Sequence, residues 1–327
     1  MSNPRSATPM PSLRLRVHCA ALALLSIAAG AVQARADDEA PRGHQGKLLL
    51  TGGVSSVDGA GGGGLTPWAV TGTYATDGQF SASGAVTFVK TRDFELRQAS
   101  ASLSAGERLE VSLAHQDFDA GPVGSALAGA LMDPGFFGLH LRQDVLGLKA
   151  RIAGDAVLDS DSLMPQVALG VEFKQAHAGH LRPVLSSFGA RDRGTDFYAS
   201  ATKLFLAQGI LVDATLRATK ANQTGLLGFG ASGHQRYDLE AEASVAWLAS
   251  RSLAVGLEYR AKPDNLRDNR ALGSGALEES AWKDVFVAWA PTKTVSLTLA
   301  FVDLGRIVPG VVSRRQTGAY ASAQFVL

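Results

Sequence analysis

The sequence predicts an all-β chain folded as a closed antiparallel transmembrane β-barrel of about fourteen strands, with twelve to sixteen allowed. Three observations predict it. Apolar and polar residues alternate with a period of two in run after run, which marks strands with two unlike faces. The runs are about ten residues long, the length of a tilted strand crossing a bilayer and longer than the usual soluble strand of about 5–6. Short and long connections mostly alternate, as in barrels with tight periplasmic turns and longer outer loops.

Residues 1–36 read as a secretory signal peptide. Arg5, Arg14 and Arg16 give a positive start, residues 20–32 are largely apolar, and Ala34-Arg35-Ala36 is a small-x-small cleavage site before Asp37. The apolar run is too short for a spanning helix, which needs about 20 residues. The single cysteine, Cys19, leaves with this segment. Disulfides, thiolate metal sites and cysteine nucleophiles are thereby excluded from the mature chain. Four arginines and no acid leave too, so 27 of 31 basic residues face 30 acidic ones. That balance argues against a nucleic-acid partner. Residues 37–46 form a short N-terminal segment and 47–327 a single barrel domain, because no linker or composition break divides them.

The strands are read in order at 47–55, 66–76, 79–90, 92–104, 107–117, 137–152, 164–176, 194–206, 209–221, 235–249, 251–262, 281–291, 293–304 and 316–327. Val167, Leu169, Val171 and Phe173 alternate with Gln166, Gly170, Glu172 and Lys174. Leu239, Ala241, Ala243 and Val245 alternate with Asp238, Glu240, Glu242 and Ser244, so a one-residue slip would turn three carboxylates to lipid. Leu253, Val255, Leu257 and Tyr259 alternate with Gly256, Glu258 and Arg260. The final run, 318–327, carries Ala, Ala, Ala, Phe and Leu at odd positions against Tyr320, Ser322 and Gln324. Two connections fit poorly: 153–163 is long for a turn, and Thr91-Arg92 is short for a loop. Aromatic residues near strand ends read as interfacial girdles: Trp68, Tyr74, Phe80, Phe94, Phe137, Phe197, Phe205, Trp247, Tyr259, Trp282, Trp289 and Phe301.

Alternation assigns the charged residues of the lumen. They are Glu95, Arg97, Glu110, Arg142, Lys149, Arg151, Glu172, Lys174, Asp213, Arg217, Asp238, Glu240, Glu242, Glu258 and Arg260. Both signs are present, which suits a water-filled pore that sets its own field, or a narrow lumen closed by salt bridges. Catalytic signatures are missing: there is no Gly-x-Ser-x-Gly, His-Glu-x-x-His or P-loop. Glycine-rich 59–64 lacks the Lys-Ser/Thr and helix that a phosphate cradle needs, and reads as a flexible loop or a point of close backbone packing. His177 and His180 lack a defined third metal ligand. A serine hydrolase using His115 or His140 with Asp144 or Glu110 has no serine singled out by spacing. No cofactor, metal or catalytic site is assigned.

The closing strand, with Phe325 near its end, resembles the last strand of bacterial outer-membrane barrels, which pairs with the first strand and is read by the assembly machinery. Gly46-Lys47-Leu48-Leu49-Leu50-Thr51-Gly52-Gly53-Val54-Ser55-Ser56-Val57-Asp58-Gly59, then Gly61–Gly64 and Leu65-Thr66-Pro67-Trp68-Ala69-Val70, resembles the opening of an uncharacterised proteobacterial family, domain of unknown function 3034. That resemblance implies an outer-membrane barrel and transfers no functional residue. The expected function is passage of small solutes through the polar lumen, with outer-membrane lipid and the assembly machinery as partners. The alternatives are transport of apolar small molecules by way of loop 118–136, whose residues 123, 127, 130 and 131 sit at helix spacing, or a non-conducting structural or enzymatic barrel.

Overall fold

The computed structural model describes residues 49–327 except 51, 77, 155–162 and 269–272. The expected signal peptide and the segment 37–46 lie outside the described residues. Two short strands, β1 (Val54–Ser55) and β2 (Gly61–Gly62), pair with each other. Twelve further strands close into a barrel among the described residues: β3 (Phe80–Thr91), β4 (Glu95–Ala105), β5 (Leu109–Asp119), β6 (His140–Ala153), β7 (Gln166–His177), β8 (Arg193–Phe205), β9 (Ile210–Thr219), β10 (Asp238–Leu248), β11 (Leu253–Arg260), β12 (Trp282–Trp289), β13 (Val295–Asp303) and β14 (Thr317–Val326). Each wall strand pairs antiparallel with its neighbours in sequence. The wall closes where β14 meets β3, from Gly318 opposite Thr91 to Val326 opposite Ser83. Closure is required in lipid, where each unpaired backbone group costs several kcal/mol.

The wall is therefore built of twelve strands, not about fourteen. The two surplus assignments were 47–55 and 66–76. Their described residues do not enter the wall; they run through the lumen as a plug, residues 49–76, almost uniformly buried. These segments are rich in Gly and Thr and lack the continuous row of large apolar side chains that a lipid-facing strand presents. Glycine serves close packing here. A Cβ on Gly61 would come within 2.3 Å of the Gly72 backbone nitrogen, and one on Gly63 within 1.9 Å of a Glu258 oxygen.

The faces follow from the register. On β11, Leu257 and Tyr259 point outward while Ala254, Glu258 and Arg260 are buried. Three assigned lumenal residues face outward instead. Arg142 alternates with buried Leu141 and Gln143, and Glu95 and Arg97 flank buried Leu96. Polar residues occur on both faces near the loop end of a strand, so charge alone misassigns the phase there. The girdle also needs correction. Phe80, Phe137, Phe197, Phe205, Trp247, Tyr259, Trp289 and Phe301 are exposed, but Trp68, Phe94 and Trp282 are buried within the barrel and Tyr74 belongs to the plug. Loop 120–139 carries helix α1 (Pro122–Leu131), which lays Val123, Gly124 and Ala128 on the barrel mouth. Helix α2 (Arg182–Ser187) covers the mouth from the next loop.

Candidate functional site

The inward positions of seven consecutive strands, β5 to β11, carry buried ionisable groups that converge on the plug. Its one acid, Asp58, is the centre. Asp58 Oδ2 lies 2.6 Å from Arg260 Nη2 and 3.9 Å from Arg217 Nη2, and Oδ1 lies 3.2 Å from Lys174 Nζ. These cations are shared with wall acids. Lys174 Nζ is 2.9 Å from Asp196 and 3.1 Å from Glu172; Arg217 is 2.6 Å from Glu172 and 2.5 Å from Glu242. Every member is almost completely buried. In such a low-dielectric site a paired charge is held strongly, and an unpaired one is expensive.

Other wall groups grip the plug backbone. Glu110 accepts hydrogen bonds from the Gly61 and Gly72 amides at 2.8 and 2.6 Å. Lys149 donates to the Gly61 carbonyl at 2.7 Å and sits 3.0 Å from Glu110. Glu258 accepts from the Leu65 amide at 2.9 Å and from the Thr66 hydroxyl at 2.7 Å. Gln116 donates to the Val57 carbonyl at 2.6 Å. Asp213 accepts from Thr202 at 2.5 Å, and the Thr202 hydroxyl accepts from the Ala69 amide at 2.7 Å.

Apolar seals close both ends of this belt. On the loop side, Val57 and Leu65 of the plug join Phe94, Phe118, Leu226 and Leu266. On the turn side, Leu50, Trp68 and Val70 pack against Leu204, Leu211 and Phe286. The cavity between Trp68, Leu211 and Phe286 measures about 20 Å³, room for about one water. The plug thus packs against the wall on both sides of the belt.

Most of the sequence-assigned charges thus lie inside, in different surroundings. Glu172, Lys174, Arg217, Glu242, Glu258 and Arg260 form the belt or hold the plug. Arg151 sits at the turn end, bonded to the Gly154 carbonyl at 3.0 Å and near Glu107. Asp238 is at the loop end, 2.7 Å from His234, and half-buried Glu240 faces Arg217 in register. Arg142 bonds Asp117 on the outer face at 2.5 Å. Sequence reasoning missed Asp58 and Asp196. The available signal for Asp58 was a lone acid inside a glycine-rich run.

Burial opposes ionisation of Asp58, but Arg260, Lys174 and Arg217 outweigh it and hold the carboxyl well below the usual carboxylate range. A carboxyl with a lowered folded pKa stabilises the folded form above its unfolded value and loses that effect only as pH falls through the folded one. Plug anchorage by Asp58 is therefore expected to persist to pH 5, read as unchanged protease resistance of the plug between pH 7 and 5.

The loop-side cap behaves differently. Loop residues Gln223 and Thr224 take left-handed φ values of 45° and 60°. Both Glu279 oxygens accept from the Gln223 amide, at 2.9 and 2.8 Å, and Lys262 donates to its side chain at 2.6 Å. Burial pushes Glu279 up to about 8, against the attraction of Lys262 3.7 Å away. Stability linked to a raised acid is present below its unfolded value and lost as pH rises through the folded one. The protection factor of the Gln223 amide, read by hydrogen exchange, is expected to fall between about pH 4.5 and 8.

A closed antiparallel barrel with an apolar outer band and a polar interior defines an outer-membrane-type β-barrel. Its family is equally plain: the chain belongs to the family described as protein of unknown function (DUF3034), whose model matches residues 51–324. No curated protein matches the chain. Among solved structures it is similar to the KdgM porin, at 7% identity over 74% of this chain and 98% of that one, with a TM-score of 0.43. It is also similar to the COG4313 outer membrane channel from Pseudomonas putida F1, at 14% identity over 78% and 96%, with a TM-score of 0.44. Outer membrane phospholipase A from Escherichia coli gives 9% identity over 77% and 94%, with a TM-score of 0.40. These are likenesses of fold.

Proposed function

We propose that this chain is a plug-gated channel of the bacterial outer membrane, non-enzymatic and closed at rest, that passes small solutes when residues 49–76 shift. The observation that carries the reading is the chemistry of the plug interface. Buried ion pairs are weak contributors to stability compared with apolar packing of the same volume. A plug made only to fill the lumen would be better held by apolar side chains. A plug held by charges and hydrogen bonds leaves a polar, wettable lumen when it moves. The closing strand β14 is the segment an assembly machinery would read, and the outer apolar band is suited to outer-membrane lipid. A second reading, passage of apolar compounds, draws on α1 and its surroundings, where Leu131, Met132 and Phe137 are exposed at 51%, 90% and 64%.

The test is conductance in planar bilayers. The intact chain is expected to be silent, and a chain lacking residues 52–74 to give steady openings while keeping the heat-dependent mobility shift of a folded barrel. Steady conductance by the intact chain would refute closure at rest. A folded, plug-free barrel that stays silent would refute the channel.

A further inference from the structure

The outer wall carries a feature that the plug does not explain. Over β12, β13, β14, β3, β4 and β5 the lipid-facing surface is concave, enclosing about 770 Å³. Ala99, Ala321 and Ala323 are its small-residue floor, and Leu297 and Leu299 form part of one side. Its line follows one row of paired residues: Trp289 faces Leu297, Leu297 faces Ala323, Ala323 faces Val86, Val86 faces Ala99 and Ala99 faces His115. Trp289 ends its strand on the turn side, whereas His115 lies toward the loop end of its own. Six strands spaced by about 4.8 Å give a groove of about 24 Å. A strand tilt near 40° makes that row descend about 15 Å, comparable to one leaflet of hydrocarbon.

The loop-side head of the groove is ionic. Arg97 is bonded to Glu95 at 2.6 Å, and Lys90 lies 3.3 Å from the same carboxylate. Asp117 sits 2.5 Å from both Arg142 and His140. Asp144 lies 2.6 Å from His115 and 3.0 Å from His177. The cations are the exposed partners: the Arg97 and Lys90 side chains are 73% and 56% exposed, against 16% for Glu95. Asp144 is sheltered beneath its two imidazoles. Elsewhere around the barrel, Phe197 and Tyr259 point outward near the loop ends. Near the loop ends these ionisable groups meet lipid headgroups rather than hydrocarbon.

We propose that this groove binds a membrane lipid, with an anionic phosphate headgroup on Arg97, Lys90 and the histidines and an acyl chain along the alanine floor toward Trp289. Charge complementarity selects the occupant: exposed donors at one end match a phosphate, and the apolar remainder matches a hydrocarbon chain. The volume is that of a site for a small molecule. The site lies on the outer wall and is independent of the gating reading.

Trp289 is the reporter. Trp68 and Trp282 are buried in the barrel, and Trp247, also exposed, is replaced by Phe. The full chain is placed in phosphatidylcholine vesicles containing a minor fraction of phosphatidylglycerol with brominated chains, then in vesicles where the bromine is on phosphatidylcholine. Quenching of Trp289 is expected to be stronger with the anionic lipid. Arg97→Gln should lower the preference about fivefold, the loss expected for one cation at a membrane surface. Ala321→Phe, which fills the floor, should reduce quenching by the anionic lipid while the barrel stays folded. Equal quenching by both lipids, or an unchanged preference in Arg97→Gln, would overturn the proposal. Shielding of Trp289 that grows with protein-to-lipid ratio would overturn it as well, because a second copy of the chain would then occupy the groove.

Discussion

Asp58→Asn is expected to turn a silent barrel into a conducting one. The carboxylate is the plug's only acid and the shared partner of Arg260, Lys174 and Arg217. Asparagine keeps the shape but leaves the Arg260 guanidinium without the anion it meets at 2.6 Å. Breaking a buried ion pair from one side costs about 3–5 kcal/mol. That is roughly two to three and a half powers of ten in the ratio of closed to open plug. The wall has no stake in the change, since its strands are held by continuous antiparallel pairing from β3 to β14. Frequent openings in a planar bilayer, with an unaltered heat-dependent mobility shift, are the expected result. Asp93→Asn is the control: its pair with Arg314 lies at the exposed loop rim, and it should leave the barrel silent. An Asp58→Asn barrel that is as silent and as protease-resistant in its plug as wild type would show that the anchor is elsewhere.

Leu257→Arg is expected to block insertion. Leu257 is central in β11, 57% exposed, and faces Val245 and Val285 on the neighbouring strands. A guanidinium at mid-bilayer costs about 2–4 kcal/mol, a large share of the net stability of an ordinary domain. The folded fraction in lipid vesicles, followed by the mobility shift across a urea series, measures it. The next residue gives the opposite phenotype. Glu258→Ala removes the acceptor for the Leu65 amide and the Thr66 hydroxyl, so it should loosen the plug while the wall inserts normally. If Leu257→Arg inserted as well as wild type, the assignment of the two faces would be wrong.

The twelve wall strands were legible because lipid enforces a rule on each strand separately. A residue facing hydrocarbon must be apolar, whatever the rest of the chain does, so alternation in 166–177, 238–248 or 253–260 is readable in place. Loop residues 123, 127 and 131 at helix spacing likewise announced α1. The rule lapses where lipid ends. Arg142 and Arg97, near the loop ends of β6 and β4, face outward among other charges, and nothing local distinguishes that from a lumenal position.

The plug was beyond local reading. As a wall strand, 66–76 offers Trp68, Val70 and several threonines, an acceptable pattern with no visible error. What places it inside is partners far along the chain: Asp58 meets Arg260 across 202 residues, and Gly72 meets Glu110 across 38. By itself, the sequence determined a lipid-facing wall, its strand directions and most of its inward charges. Only the tertiary structure decided that those charges grip a segment of the same chain that runs through the barrel. The outward face answers to a uniform solvent, the bilayer, whereas the inward face answers to whichever groups the closed barrel brings opposite it.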